Sequence, residues 1–585
     1  MTTPTPPRRF TRASAAVVAL VAAAALSAAS AASAAPASAA PAPDPPVSVR
    51  LLAINDFHGH LEPPTGSIGT IAGQPAGGVE HLATQLAVLR SEVAPENSIT
   101  VAAGDLIGAS PLLSAAFHDE PTIKSLDLAG LDYASVGNHE FDEGAEELLR
   151  IQGGGCHPGD GCADPAAPYE GAGFQYLSAN AFVTATNEPL LPPYAVHEVD
   201  GVKIGFIGMT LEGTSSVVSQ AGVAGLTFTD EVETANELAV ELQDAGVQAI
   251  VVLVHEGGAQ VGGGGINDCT NFQGPIGRIA RGMTDAIDVV LSGHTHTAYN
   301  CVVDGKVVTS ASSFGRLVTK IDLQIDRASG DVIRDENKAE NLVVNRDQAK
   351  NPEQTQLIAR YRELLGPIAD AVVGEAGAPI TREQVRLFQS GTAPDGAPIF
   401  ALGESPLGNL IADAQLAATD DEQDAVAALM NPGGVRADLD AGPVTFGEAF
   451  TIQPFNNLLT TLDLTGTQVQ CLLEQQFVLG RTLYPSAGVT YTVSPTGTTG
   501  TAADPCSGTR VVDSSVAVGG TAITPEGTYR LTVNNFLADG GDGFAVLTQG
   551  TSRFLGGLDI DALVAYLTAN TPTPIPATDR ITIGS

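Results

Sequence analysis

The sequence predicts two layered α/β domains in succession, of which the second is the smaller. Its 585 residues exceed the roughly 100–200 residues of a typical single domain. From residue 48 to about 345, short apolar runs rich in β-branched residues alternate with helical patterns, and this alternation then stops. We therefore predict an α/β domain at 48–345, a linker helix at 346–370 and an α/β or α+β domain at 371–585.

The first domain is expected to contain a largely buried sheet covered by helices. Residues 79–93 and 231–245 have the apolar spacing of amphipathic helices. Five apolar runs are predicted strands, and most of them lead within two residues into Gly, Asp, Asn or His. The predicted strands are 47–54, 99–102, 203–208, 249–254 and 289–291.

The second domain has a different pattern. A polar stretch with a helical apolar stripe, 346–370, precedes it. Within it we predict a helix at 406–418 and a strand region rich in Gly, Thr and Pro at 485–530.

Residues 1–40 are predicted to be an export signal. Three arginines lie before an apolar stretch at 15–26, and Ala32-Ser33-Ala34 is one of several A-x-A cleavage sites. A membrane anchor is the alternative, but the apolar stretch is shorter than the roughly 20 residues that a spanning helix needs. We expect a protein that is secreted or associated with the cell wall, without stable membrane insertion; its oligomeric state stays open.

The charge of the chain limits its partners. A formal net charge of −38 argues against binding a nucleic-acid polymer through a basic face. A solvated acidic surface explains most of this charge. Because the field also repels phosphorylated substrates, a phosphate site would need metal ions or clustered arginines.

The six cysteines of an exported chain indicate disulfides. Sequence alone leaves the pairing open, and a cysteine metal site is disfavoured because no C-x-x-C pair is present. We prefer pairs of sequence neighbours, namely Cys156 with Cys162, Cys269 with Cys301, and Cys471 with Cys506.

Residues of metal-ligand type occur in five segments, most of them at predicted strand ends. Strand ends at one edge of an α/β sheet converge in space. Carboxylate, amide and imidazole ligands suit hard or borderline divalent ions, and a bridging Asp can hold two ions roughly 3.5–4 Å apart. Each motif alone is more often structural, so the prediction depends on all five together. They contain Asp56 and His58, Asp105, Asn138 and His139, His255, and His294 and His296.

These motifs read D-x-H, G-D, G-N-H-E and G-H-x-H, and in this order the chain resembles the calcineurin-like metallophosphoesterase superfamily. The resemblance implies a four-layer α/β sandwich with two divalent ions, which could be Zn, Mn, Co, Fe or Mg. It implies that Asp105 bridges the ions. It also implies ligands Asp56, His58, Asp105 and His296 for one ion and Asp105, Asn138, His255 and His294 for the other.

The same resemblance implies a catalytic dyad of His139 and Asp142. The histidine would stabilise charge on the phosphoryl or leaving-group oxygens, and the carboxylate would orient it. The structural alternative is that His139 contacts the metal ligands without taking part in catalysis, and that Asp142 is a helix cap.

Residues 400–545 carry a second set of motifs: GESPLGNLIADA, MNPGGVRADL, TIQPFNNLLTTLDLTG and VNNFLADGGDGF. These resemble the C-terminal domain of the family of secreted bacterial 5'-nucleotidases and UDP-sugar hydrolases. The resemblance implies a nucleoside site in which Phe455 and Phe536 stack on the base. It also implies a ribose contact for Asp542, contacts near the base for Asn431 and Asn457, and a phosphate contact for Arg436. Core phenylalanines and a GGDG hairpin turn are the structural alternatives.

One departure from that family affects the choice of substrate. Family members commonly carry arginines just before the Glu that precedes L-G-N-L, whereas residues 400–404 read FALGE. Arg382 or Arg386 could replace them, and Pro432 stiffens the loop that leads to Arg436.

The sequence therefore predicts a secreted, metal-dependent phosphoric monoester hydrolase that cleaves nucleoside 5'-phosphates. The alternatives are a 2',3'-cyclic-nucleotide phosphodiesterase or a UDP-sugar hydrolase with the same metal site. A nucleoside-binding surface protein without catalysis is the alternative from another class, and the complete ligand set argues against it.

Overall fold

The computed structural model describes residues 44–218, 222–261, 263–389 and 401–584. The predicted export signal lies outside these ranges. Within them, no helix is both long and apolar enough to cross a membrane.

The first half of the chain forms two six-stranded mixed sheets. In each sheet four neighbouring strands are parallel, and each of the other two strands pairs in antiparallel fashion with its neighbours. The first sheet has the strand order Lys338–Val343, Leu317–Ile325, Val47–Ile54, Ser98–Ala103, Tyr133–Ser135, Gln175–Leu177. The second has the order Ala298–Val303, Lys306–Ala311, Val289–Ser292, Ala249–His255, Val202–Thr210, Tyr194–Val199.

The two sheets pack face to face and helices cover their outer faces. Leu51 and Val101 of the first sheet share one buried core with Phe206 and Leu253 of the second. A second core lies under the helices of the first sheet and a third under those of the second sheet. This confirms the predicted four-layer α/β sandwich. Its main helices are Val79–Ser91, Glu120–Leu128, Ala145–Gly153, Glu231–Asp244 and Pro275–Gly282.

The helix predicted at 346–370 is found at Pro352–Ala369. It begins later because Asn351 caps it, accepting hydrogen bonds from the backbone N–H groups of residues 353 and 354, and because Pro352 suits the first helical turn. Ile358 and Tyr361 are buried in the core beneath the first sheet. The helix is thus packed against the first domain along part of its length.

The second half of the chain has its own two apolar cores. A five-stranded sheet has the order Tyr484–Pro485, Ala427–Met430, Thr528–Asn534, Leu458–Thr465, Thr551–Leu558, and a four-stranded sheet has the order Thr521–Ala522, Ala517–Val518, Val489–Val493, Ile581–Ile583. The longer helices are Pro406–Ala417, Phe446–Ile452, Gly466–Leu479 and Asp559–Ala569. The mixture of strands and helices agrees with the predicted second α/β or α+β region.

Two contacts join the halves near one loop. Leu112 packs against a core of the second half. The side-chain amide of Asn456 donates a hydrogen bond to the carbonyl of Ser110, with an N···O distance of 3.2 Å. The exact domain boundaries stay predictions, since Pro45–Ser585 forms one compact unit.

The three preferred cysteine pairs are all present as disulfides, so the predicted connectivity is confirmed. They are Cys156–Cys162, Cys269–Cys301 and Cys471–Cys506.

Candidate active site

The seven predicted metal ligands all lie at or just after the carboxyl ends of parallel strands. Asp56 follows the strand that ends at Ile54, and His255 is the last residue of its own strand. Five of the seven have left-handed backbone conformations, with φ between 47° and 69°. Such conformations are uncommon outside glycine and occur most at functional sites, and Asp, Asn and His tolerate them best. These five residues are Asp56, His58, Asp105, His294 and His296.

Three of these side chains form a first group around Asp56. Nε2 of His296 lies 3.2 Å from Oδ1 of Asp56 and 3.1 Å from Nε2 of His58. Nδ1 of His58 donates a hydrogen bond to the carbonyl of Gly108 at 2.8 Å, so the lone pair of neutral His58 is on Nε2. Ring nitrogens and a carboxylate oxygen therefore converge on one point, as in a cation site.

A second group surrounds Asp105. Nε2 of His255 lies 2.9 Å from Oδ2 of Asp105, and the rings of His255 and His294 are 5.3 Å apart. Nδ1 of His255 donates to the carbonyl of Ala103 at 2.8 Å. The amide oxygen of Asn138 is buried without a hydrogen-bond partner.

Asp105 connects the two groups. Its Oδ2 lies 2.9 Å from Nε2 of His255 and 3.5 Å from Nε2 of His58. The Nε2 atom of His255 approaches Asp105 without the geometry of a hydrogen bond. A cation between Oδ2 of Asp105 and Nε2 of His255 would give both atoms a partner. A proton on Nε2 of His255 would do the same. The residues present thus fit divalent ions: they are oxygen and imidazole donors, and second partners already orient His58 and His255.

The charge states of His58, His294 and Asp105 also suit metal binding. His255 would have to lose a proton to bind a metal ion, because burial would lower its pKa but Asp105 raises it to about 9. Burial lowers the pKa of His58 to about 3 and that of His294 to about 4, so both rings are neutral at neutral pH. Burial would raise the pKa of Asp105, but His255 and His139 outweigh it and hold that pKa well below its usual range. Neutral imidazoles and ionised carboxylates are the forms that bind metal ions.

His139 and Asp142 form a hydrogen-bonded pair beside this cluster. Nδ1 of His139 lies 2.7 Å from Oδ2 of Asp142, and the His139 ring is 5.1 Å from that of His58. Burial would lower the pKa of His139, but Asp142 and then Asp105 raise it to about 10. Gly108, at φ 78°, must lack a side chain here, because a Cβ would lie 2.7 Å from both Oδ2 of Asp142 and Cβ of His139.

In the second half of the chain, five of the six predicted substrate residues line one pocket. Its volume is about 180 Å³, and Phe455 and Phe536 are 41% and 46% exposed, so neither is a core residue. The pocket is lined by Asn431, Gly433, Gly434, Phe455, Asn457, Asn534, Phe536 and Asp542.

The sixth residue, Arg436, lies at the edge of this pocket. Its guanidinium carbon is 5.7 Å from the centre of the Phe455 ring, and Nη1 donates to the carbonyl of Gly433 at 3.2 Å. Arg382 lies close to Arg436, since its Nη1 donates to the carbonyl of Arg436 at 2.9 Å. The Arg386 side chain lies outside the described part of the structure.

Several residues that lie next to these sites had no role predicted from the sequence. Glu140 accepts hydrogen bonds from the backbone N–H groups of Gly137 at 2.6 Å and Asp105 at 2.9 Å, and so holds the two ligand loops together. Glu140 is the last residue of the G-N-H-E motif, but its role was not predicted. Asn534 lines the pocket and Arg481 forms an ion pair with Asp542, but no local sequence pattern connects either of them to Asp542.

Comparison with known proteins agrees with this two-part arrangement. Residues 49–298 match the calcineurin-like phosphoesterase family, and residues 391–549 match the 5'-nucleotidase C-terminal domain. The endonuclease YhcR of Bacillus subtilis is 34% identical over 90% of this chain, which spans 40% of the relative's length. The cell wall protein Lmo0130 of Listeria monocytogenes is 31% identical over 89% of the chain and 67% of its own length.

A solved structure shows the same architecture. The 5'-nucleotidase precursor of Thermus thermophilus is 27% identical, with a TM-score of 0.55 over 92% of this chain and 99% of its own. The chain therefore belongs to the family of metal-dependent phosphoester hydrolases in which a calcineurin-like phosphoesterase domain is followed by a 5'-nucleotidase C-terminal domain.

Proposed function

We propose that the protein is a secreted hydrolase with a dinuclear metal site that cleaves nucleoside 5'-phosphates to nucleoside and phosphate. The observation that carries this proposal is the position of Asp105, whose Oδ2 lies within 3.5 Å of histidine nitrogens from both ligand groups. A carboxylate in this position can serve two ions at once. The family matches support hydrolysis of phosphate esters at such a site.

Each ligand group would hold one divalent ion. When bound, the ions would neutralise the phosphate, polarise it and lower the pKa of water. Asp56, His58, Asp105 and His296 are the proposed ligands of one ion, and Asp105, Asn138, His255 and His294 are those of the other.

The dyad would act on the phosphoryl group or the leaving oxygen. Asp142 occupies Nδ1 of His139, which leaves Nε2 free to donate a hydrogen bond or a proton. The positive charge favoured by Asp142 and Asp105 would stabilise the negative charge that develops in the transition state.

The pocket of the second half would hold the nucleoside. Phe455 and Phe536 would stack on the base, Asn431 and Asn457 would contact it, and Asp542 would accept hydrogen bonds from the ribose. Arg436 would contact the phosphate. The hydrogen bond from Asn456 to Ser110 supports this division, because it joins the loop next to Phe455 to the segment that carries Asp105.

Release of phosphate from AMP, measured with and without a chelator, tests this function. We expect loss of activity on chelation and recovery on adding back a divalent ion. Phosphate release that persists in the fully metal-depleted protein would contradict the proposal.

A second candidate function is hydrolysis of 2',3'-cyclic nucleotides or UDP-sugars at the same metal site. It is favoured by the absence of arginine at 400–404, where family members commonly carry arginines. A substrate panel of AMP, 2',3'-cyclic AMP and UDP-glucose at equal concentrations distinguishes the two functions by their kcat/KM values.

The proposed location is extracellular or at the cell surface. The three disulfides suit an oxidising compartment, and one relative is named a cell wall protein. Mass spectrometry of the culture medium and of the cell-wall fraction would test this location and the removal of residues 1–40.

A further inference from the structure

One end of the nucleoside pocket carries an arginine that binding a nucleoside does not require. Arg481 follows the helix Gly466–Leu479, with Gly480 between them in a left-handed conformation. Its Nη1 forms an ion pair with Oδ1 of Asp542, a residue that lines the pocket. A cation is thus placed beside the carboxylate proposed to bind the ribose.

The position of this carboxylate is fixed by a chain of hydrogen bonds. Asn431 donates from Nδ2 to Oδ2 of Asp542 at 2.9 Å, and Asn534 donates from Nδ2 to Oδ1 of Asn431 at 2.9 Å. Asn534 ends the buried strand Thr528–Asn534, and its own Oδ1 accepts from the backbone N–H of Leu537. Asp542 also has a left-handed backbone conformation, at φ 55°. The guanidinium that pairs with Asp542 is therefore held at the pocket.

Arg481 keeps donors available for a ligand. Its side chain is 47% exposed, whereas that of Asp542 is 11% exposed. Within the described ranges, Asp542 is the acceptor found for the Arg481 guanidinium, and a guanidinium has further N–H donors in a planar arrangement that matches phosphate. Each carboxylate oxygen of Asp542 also has a lone pair left for a ribose hydroxyl.

The negative charge of the chain means that a phosphate near Asp542 needs a neighbouring cation. A phosphate near Asp542 alone would be repelled by the carboxylate and by a protein of net charge −38. Arg481 offsets that repulsion beside Asp542, the carboxylate proposed to bind the ribose.

Building on the proposed nucleotidase function, we propose that Arg481 forms a second phosphate subsite, which binds a phosphate group on the 3' oxygen of the ribose. The substrate class would then include nucleoside 5'-phosphates that carry a further 3'-phosphate. The same chemistry occurs in a nucleoside 3',5'-bisphosphate and at the 5' end of a short oligonucleotide.

Binding to metal-depleted protein tests the subsite without relying on catalysis. Isothermal titration calorimetry would compare adenosine 3'-phosphate with adenosine. We expect the 3'-phosphate to bind the wild type about tenfold or more tightly, as for a charge-assisted contact. Arg481→Met should remove this difference by weakening adenosine 3'-phosphate, and any loss of adenosine affinity should be much smaller.

The matched control is Arg553→Met. Arg553 also forms an ion pair with an aspartate, Asp539, at 2.6 Å, but it does not line the pocket. This variant should retain the preference for the 3'-phosphate. Equal affinity of the wild type for both ligands would overturn the subsite. So would an Arg481→Met variant that weakens adenosine as much as adenosine 3'-phosphate, because Arg481 would then only position Asp542.

Measurements of turnover distinguish the two substrates that could supply the 3'-phosphate, a nucleoside 3',5'-bisphosphate and the 5' end of an oligonucleotide. With metal restored, adenosine 3',5'-bisphosphate and a 5'-phosphorylated adenine dinucleotide would each be compared with AMP. A lower KM that Arg481→Met abolishes for the bisphosphate alone assigns the subsite to mononucleotides, and the same result for both substrates extends it to oligonucleotide 5' ends. If neither KM depends on Arg481, the subsite is excluded. Failure of the hydrolase proposal would appear separately, as no release of phosphate from AMP.

Discussion

Nδ1 of His139 and Oδ2 of Asp142 lie 2.7 Å apart across a single short helical turn, and both residues are close to the cluster around Asp105. The pair differs from an isolated surface ion pair because both side chains are largely buried, and it differs from a metal ligand because Nδ1 of His139 is hydrogen-bonded to Asp142. It is therefore the part of the site whose removal should separate metal binding from catalysis.

We expect His139→Gln to lower kcat by roughly 10²- to 10⁴-fold, the range for loss of a general acid or base. Metal content, measured by mass spectrometry of the ions after gel filtration, should stay at the wild-type level. His197→Gln is the control, since His197 also forms a hydrogen bond through Nδ1, with the hydroxyl of Tyr133 at 3.2 Å, and is not one of the proposed ligands. Loss of metal from the His139 variant would make this residue a ligand instead.

Asp105→Ala should abolish nearly all activity and lower the content of both ions, because one carboxylate contacts histidines of both groups. Asp200→Ala is the control, because Asp200 also forms an ion pair, with Arg327, but is 57% exposed and is not one of the proposed ligands. Two tightly bound ions and normal turnover in the Asp105 variant would rule out the bridge.

Phe455→Ala and Phe536→Ala should each lower kcat/KM for AMP by roughly 5- to 150-fold, corresponding to about 1–3 kcal/mol of base stacking. A small chromogenic phosphate ester has no base, so its hydrolysis should change little. Phe554→Ala tests the effect of removing a similarly exposed phenylalanine, 43% exposed, away from the pocket. Equal losses on both substrates would show that the phenylalanines support the fold.

The stability of the protein should depend on pH through His118. Burial lowers the pKa of His118, but Glu143 and Asp160 outweigh this effect and raise it to about 9. Because the folded pKa is above the unfolded value of about 6.5, this stabilisation is complete below about pH 6.5 and is lost as the pH rises through 9. Urea unfolding should therefore show that His118→Gln lowers the free energy of unfolding more at pH 6 than at pH 10. A difference that is constant with pH would contradict this assignment.

Much of the first domain could be predicted because its strands are short apolar runs with polar residues directly after them. The strand predicted at 47–54 has the observed bounds, and the helix predicted at 231–245 is found at Glu231–Asp244. The order of strands could not be predicted. Val47–Ile54 pairs with Leu317–Ile325, and such pairing depends on contacts between distant segments that leave no local pattern.

The candidate site was predictable to the extent that its residues are in recognisable motifs. The residues that hold those motifs in place were not, since Glu140 acts through backbone N–H groups and Asn456 through a carbonyl in the other half of the chain. Arg481 was missed for the same reason: its partner Asp542 is far away in sequence.

The left-handed backbone at five of the seven proposed ligands limits how this centre could be redesigned. Engineers often change metal selectivity by exchanging ligands, for example by introducing cysteine for softer ions. At Asp56, His58, Asp105, His294 and His296 such an exchange would also have to tolerate a conformation that costs most residues about 1–2 kcal/mol. The small set of residue types that accept it overlaps with the hard and borderline ligands already present. A change of metal preference would thus be easier at Asn138 and His255, whose backbones are not left-handed, than at the other five positions.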